Sequence, residues 1–129
     1  MSSFILHSLS ILTMWYLILS RREASIDAVK ARTADHFVWM KARHAAGDVI
    51  ISGPTPDRKM GIYVIRADSA ESAAQIADSD PFHLHGLRCY ELVEWEVHQM
   101  LGIGPFSLPG VQFLAKEDAD GAYTDLPKE

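Results

Sequence analysis

The order in which two hydrophobic periods follow one another constrains this chain most. Between residues 15 and 97, short β-branched or aromatic runs alternate with segments whose apolar residues recur every three or four positions. WYLILS (15–20) is the first strand-like run, closed by Ser20 and the pair Arg21-Arg22. Ser25 stands where a helix N-cap belongs, with Asp27 in the first turn. Ile26, Val29, Thr33, Phe37, Met40 and His44 then fall on one helical face, up to Gly47 as a stop signal. A single helix of about 20 residues is expected. VIISG (49–53) and GIYVIRA (61–67) are short strands, and the loop between them suits an antiparallel connection. In DSAESAAQIADS (68–79), Asp68 with Glu71 three residues on resembles a capping box, and Ala73, Ala74, Ile76 and Ala77 make a small apolar face. Asp80-Pro81 stops that second helix. RCYELVEWEV (88–97) is the last strand, with Cys89, Val93, Trp95 and Val97 on one face and Tyr90 and Leu92 on the other.

The order is β-α-β-β-α-β, an α+β arrangement of the ferredoxin-like type, with both helices on one face of the sheet. Apolar residues remain on the other face, and an uncovered apolar face calls for a partner. A homodimer stacked sheet to sheet is the expected solution, forming a dimeric α+β barrel. A chain of 129 residues, 48% of them hydrophobic, fits one such domain. It is assigned to residues 14–97, with a leader at 1–13 and a C-terminal extension at 98–129. The extension, with GIGPFSLPG and KEDADG, shows turn signals and neither helical nor strand periodicity. FILHSLSILTMWYLIL (4–19) has the look of a membrane anchor, but no Lys or Arg precedes it. His7, Ser8, Ser10 and Thr13 interrupt it, and SRREAS is no cleavage site. The preferred reading splits it into a leader and the first strand, with Met14 a candidate start. A net charge of −5 without a basic stripe argues against nucleic acid and against an anionic membrane surface. The one cysteine, Cys89, forms no internal disulfide and agrees with a cytoplasmic location.

The densest chemistry lies in DPFHLHG (80–86). His36, at the edge of the first helix's apolar stripe, reads alone as a boundary histidine whose ring covers the core. A carboxylate partner changes that: Asp80 could accept from one ring nitrogen, fix the tautomer and leave the other nitrogen as a base. Asp-Pro is equally a helix stop, and Asp78 serves that turn as well. His83 and His85, if on a strand, would share a face and form half of a metal site. Without a third ligand at a matching spacing, a polar rim or an exposed turn is the plainer reading. His44 suits a helix C-terminus. Ser52 and Pro54 close the second strand, and the Ser52 hydroxyl is available to a pocket. Arg32, one turn before His36, could hold an anion or pair with Asp35 or Asp80. Phe82, Trp39 and Trp95 are core or dimer contacts, or a wall for an aromatic ligand. No glycine-rich phosphate loop and no metal constellation stand out, so no cofactor is expected.

With MWYLILS (14–20), the helix bearing Arg32 and His36, GDVIISGP (47–54) and ADSDPFHLHGL (77–87), residues 14–97 resemble the YCII-related family of small dimeric α+β barrel proteins. The helix histidine, the Gly-Pro after strand two and the DPF after helix two carry most of that resemblance. It implies an active-site pair at His36 and Asp80, and a place for His83 in the pocket. At least one family member is similar to a dehydrochlorinase acting on chlorinated hydroxyquinols. Two readings follow. In the first the chain is a small cofactor-independent enzyme doing proton-transfer chemistry (elimination, isomerisation or lyase action) on a small, aromatic metabolite. His36 is its base, Asp80 orients that base, Arg32 or Ser52 steadies an oxyanion, and Pro54, Phe82 and His83 line the substrate pocket. In the second it is a non-catalytic homodimer that binds a small ligand, and the His–Asp pair is structural. An open cleft reaching the His36 ring favours the first.

Overall fold

A computed structural model describes residues 13–101 and the backbone of 104–107 and 112–113. The described residues fall into two units: Trp15–Trp95, and a second that takes in those described before Trp15 and from Glu96 on. The first unit carries β1 (Met14–Arg22), α1 (Ile26–Lys30), α2 (Thr33–Ala46), β2 (Val49–Pro54), β3 (Met60–Ala67), α3 (Ala70–Asp78), α4 (Pro81–Leu84) and β4 (Arg88–Trp95). Its strands form one sheet in the order β2-β3-β1-β4, with β1–β4 and β2–β3 antiparallel. This is the expected ferredoxin-like α+β fold.

Register decides which side chains meet the helices. Ser20 lies opposite Tyr90, and Ser52 opposite Tyr63. All four hydroxyls bond toward helical segments, so these residues mark the helix-covered face. A bulge at Ile50 places Val49 opposite Ile65 and Ile51 opposite Val64. The extra residue rephases β2, so that buried Val49 and the Ser52 hydroxyl share the helix side while Ile51 turns outward. Ile18, Ile65, Ala73 and Ala77 are fully buried. The two alanines, one turn apart on α3, have no side chain long enough to hold that helix off the sheet.

The structure departs from the sequence reading at four places. The first helix is two. In a continuous helix the Val29 carbonyl would take the Thr33 amide. It accepts instead the Arg32 amide and the Thr33 hydroxyl, both at 3.0 Å. This back-bonding by a β-branched hydroxyl residue ends α1 and starts α2 at Thr33, which puts His36 in a first turn rather than mid-helix. The cap of α3 is Ser69, whose Oγ accepts the Ser72 amide at 3.0 Å; Asp68 and Glu71 form no capping box. Residues 81–84, expected as a plain turn, make the one-turn helix α4. The extension, expected without strands, holds β5 (Gln99–Met100), β6 (Gly104–Ser107) and β7 (Gln112–Phe113) in a small antiparallel sheet. Strands of two to four residues are too short for a period to show. Ser25 and Gly47 behave as expected. Ser25 Oγ caps α1 through the Ala28 amide, and Gly47 ends α2 at φ +83°. The proposed leader lies outside the described residues, apart from Thr13. No helix among the described residues is long and apolar enough to cross a membrane.

Candidate active site

Asp-Pro-Phe (80–82) organises the site. Asp80 is the N-cap of α4: its Oδ1 accepts the Phe82 amide at 3.0 Å, and Pro81 takes the first helical position, where no amide hydrogen is needed. The side chain that caps this helix is 1% exposed. A buried carboxylate is costly unless its oxygens are satisfied. Here His36 Nδ1 donates to Oδ1 at 2.9 Å and the Tyr63 hydroxyl donates to Oδ2 at 3.1 Å. Burial, and then the charge of Asp80, push the Tyr63 phenol well above its ordinary range, so it stays protonated and remains a donor. Arg88 is the cation whose field reaches both groups.

The His36 ring is held on its face as well as at its edge. Phe82 stacks on it at a centroid distance of 4.3 Å and 17°, and Trp39 follows at 6.2 Å and 25°. Trp39 is fixed in turn, its indole N–H donating to Ser79 Oγ at 2.9 Å. With Nδ1 committed to a carboxylate, the neutral ring carries its proton there, and Nε2 holds a lone pair.

His36 and Asp80 line a cavity of about 500 Å³, within the range of small-molecule sites. Its apolar wall comes from Val29, Phe37, Met40, Ile62 and Phe82, and its polar groups from Ser20, Thr33, Ser52, Tyr63, Arg58 and Arg88. The Arg88 guanidinium sits 4.9 Å above the Phe82 ring centroid, and its NH1 donates to the Ser20 carbonyl at 3.2 Å. Its Nε is buried without a partner, and burial lowers its basicity while Asp80 opposes the shift. Among the described residues, no three His, Cys, Asp or Glu side chains gather as a metal site.

Of the residues singled out from sequence, His36, Asp80, Ser52, Pro54 and Phe82 meet at this cavity. Ser52 does so with its hydroxyl already bonded to His44 Nε2 at 2.9 Å. Arg32 and His83 do not line it. Arg32 points along the exposed surface of α2 to Asp35, 3.3 Å away, because the helix break turns it out as an N-cap residue. His83 stands behind the wall, between Ser20 and the Ala77 carbonyl. Asp78 is occupied at the surface by the Tyr90 hydroxyl, whose pKa burial and this bond push up to about 12. His83 and His85 belong to α4 and its C-cap rather than to a strand, and His85 is exposed. Sequence reasoning passed over Tyr63, Arg88 and Ser20. Alternation in their strands gives a face to each, and only the tertiary structure gives them Asp80, the cavity and His83 as neighbours.

Comparison with known proteins agrees with this architecture. The YCII-related domain matches residues 14–96. The uncharacterized protein YjpA of Bacillus subtilis (strain 168) is 32% identical over 82 residues, which cover 64% of this chain and 94% of that protein. Among solved structures, the 5-chloro-2-hydroxyhydroquinone dehydrochlorinase TftG of Burkholderia phenoliruptrix AC1100, in complex with 2,5-dihydroxybenzoquinone, superposes with a TM-score of 0.57. That match has 20% identity and covers 64% of this chain and 94% of that one, which establishes a shared fold. The chain therefore belongs to the YCII-related family.

Proposed function

We propose that this protein is a cofactor-independent, cytoplasmic enzyme that moves a proton on a small hydroxylated, aromatic metabolite, in an elimination, isomerisation or lyase-type reaction. The observation that carries the reading is the state of His36. One nitrogen is locked by a buried carboxylate with two further donors, and the ring borders a cavity large enough for a single aromatic ring. His36 Nε2 takes the proton of a phenolic or enolic hydroxyl. The oxyanion so formed is balanced by the Arg88 guanidinium, which lines the same cavity. Asp80 holds the imidazolium until the proton returns to the substrate or leaves with the eliminated group. TftG supports the substrate class by likeness of fold alone.

The test is turnover of 5-chloro-2-hydroxyhydroquinone and related hydroxyquinols by the wild type, His36→Ala and Asp80→Asn. General-base loss should lower kcat by about a hundredfold or more in His36→Ala. In Asp80→Asn the tautomer of His36, followed by NMR, should change together with kcat. Turnover unchanged in His36→Ala sinks the role of His36 as the base, and a wild type that binds these compounds without turning them over is a small-ligand-binding protein. We further propose that the active form is a homodimer joined through the sheet face that none of the described helices covers.

A further inference from the structure

Ser20 is a cavity residue whose proton can be followed. Its Oγ is 2.7 Å from His83 Nε2, and His83 Nδ1 is 2.7 Å from the Ala77 carbonyl. A carbonyl oxygen only accepts, so Nδ1 carries the proton of the neutral ring and Nε2 has the lone pair. The single O–H of Ser20 therefore points at His83, and the hydroxyl turns lone pairs toward everything else. The groups around His83 are the Tyr90 ring at 4.7 Å and, at longer range, Asp80, His36 and Arg88. Asp80 is already engaged by three donors. Burial holds His83 below its ordinary pKa, which favours the neutral ring.

We propose that Ser20 is a specificity-determining residue of the cavity. It accepts a hydrogen bond from a hydroxyl or N–H of the bound molecule, and His83 positions it by holding its proton. Serine alone is an ambiguous partner, able to donate or accept; His83 removes that ambiguity. With an acceptor at His36 Nε2 and a pure donor at Arg88, the cavity selects a molecule with two hydrogen-bond donors and one electron-rich oxygen. The inference rests on the cavity being the ligand site and does not need His36 to act as a base.

Resorcinol and 3-methoxyphenol separate the two roles: each offers one O–H to His36, and only resorcinol carries a second donor for Ser20. Their binding to the full-length chain is measured by NMR titration with His36 in place, so that Asp80 keeps its three donors. Resorcinol should bind about fivefold to tenfold tighter than 3-methoxyphenol. In Ser20→Ala the two should bind alike. In His83→Phe, 3-methoxyphenol should gain, because the released Ser20 hydroxyl can donate to its ether oxygen. A resorcinol preference that persists without Ser20, or binding of neither probe at the cavity residues, overturns the proposal. Ser20→Cys, a much weaker acceptor of similar shape, replaces the alanine variant if the amide spectrum shows a lost fold. Failure of the proton-transfer reading shows separately, as unchanged turnover in His36→Ala.

Discussion

A carboxylate that is 1% exposed is tolerated because three donors reach it: an imidazole, a phenol and a backbone amide. The arrangement makes Tyr63 more than a core aromatic. Tyr63→Phe keeps the ring and leaves Oδ2 of Asp80 buried without its donor. The expected loss is about 2 kcal/mol of unfolding free energy in urea, the usual cost of orphaning a charged acceptor. A change within about 0.5 kcal/mol, the size expected of a surface substitution, would show that water reaches Oδ2. Little of this network is written locally. His36 and Asp80 are 44 positions apart, and no periodicity pairs them. The Asp-Pro-Phe signature and the family resemblance were needed to name both. Tyr63 and Arg88 carry no such signature: in their own strands they are one more aromatic and one more cation. The same limit misplaced Arg32, because a helix that is continuous in pattern hides the break that turns this side chain away.

Elements were more legible than their ends. Strand and helix order follows from residues adjacent in sequence, and β1 to β4 and the second helical segment appear within a few residues of their expected limits. Ends depend on which of two neighbouring polar side chains wins the first amides. Asp68 has Glu71 at capping-box spacing, yet Ser69 accepts the Ser72 amide. With Ser69 as cap the helix starts one residue later, at Ala70. The helix so begun carries Ala73 and Ala77, both fully buried. Ser69→Ala should therefore cost about 1 kcal/mol, and Asp68→Ala less than about 0.5 kcal/mol. Chemical denaturation of the two variants gives the ranking directly, and the reverse order would return the cap to Asp68. The break between α1 and α2 was invisible for a related reason. The three-and-four spacing of apolar residues runs on through Val29 and Thr33, while the interruption lies in what the Val29 carbonyl bonds.

At the scale of the whole molecule, a sheet with helices on one side leaves apolar residues on the other. Ile51, Val93 and Trp95 are 64%, 38% and 44% exposed. Each would gain from removal from water, at roughly 25 cal/mol for every Å² of apolar surface covered. Charge works the other way: each copy brings a net charge of −5, and Glu91 stands two residues before Val93 on the same strand face. A sheet-to-sheet homodimer should therefore be held by apolar burial and opposed by repulsion, and added salt should strengthen it. Val93→Glu tests both terms at once, placing a second carboxylate beside Glu91 where a branched apolar side chain should be covered. Sedimentation of the wild type should show a dimer whose dissociation constant falls with ionic strength. Val93→Glu should sediment as a folded monomer at the same concentration. A monomeric wild type, or a Val93→Glu variant that still dimerises with unchanged affinity, would remove this face as the interface. The distinction bears on the site itself, because Ser52 and Ile51 are neighbours in β2: one borders the cavity and the other points out of the opposite face. A partner seated on Ile51 would press on the strand that forms one wall of the cavity. Loss of the dimer would then loosen the grip on a bound ring without touching His36 or Asp80.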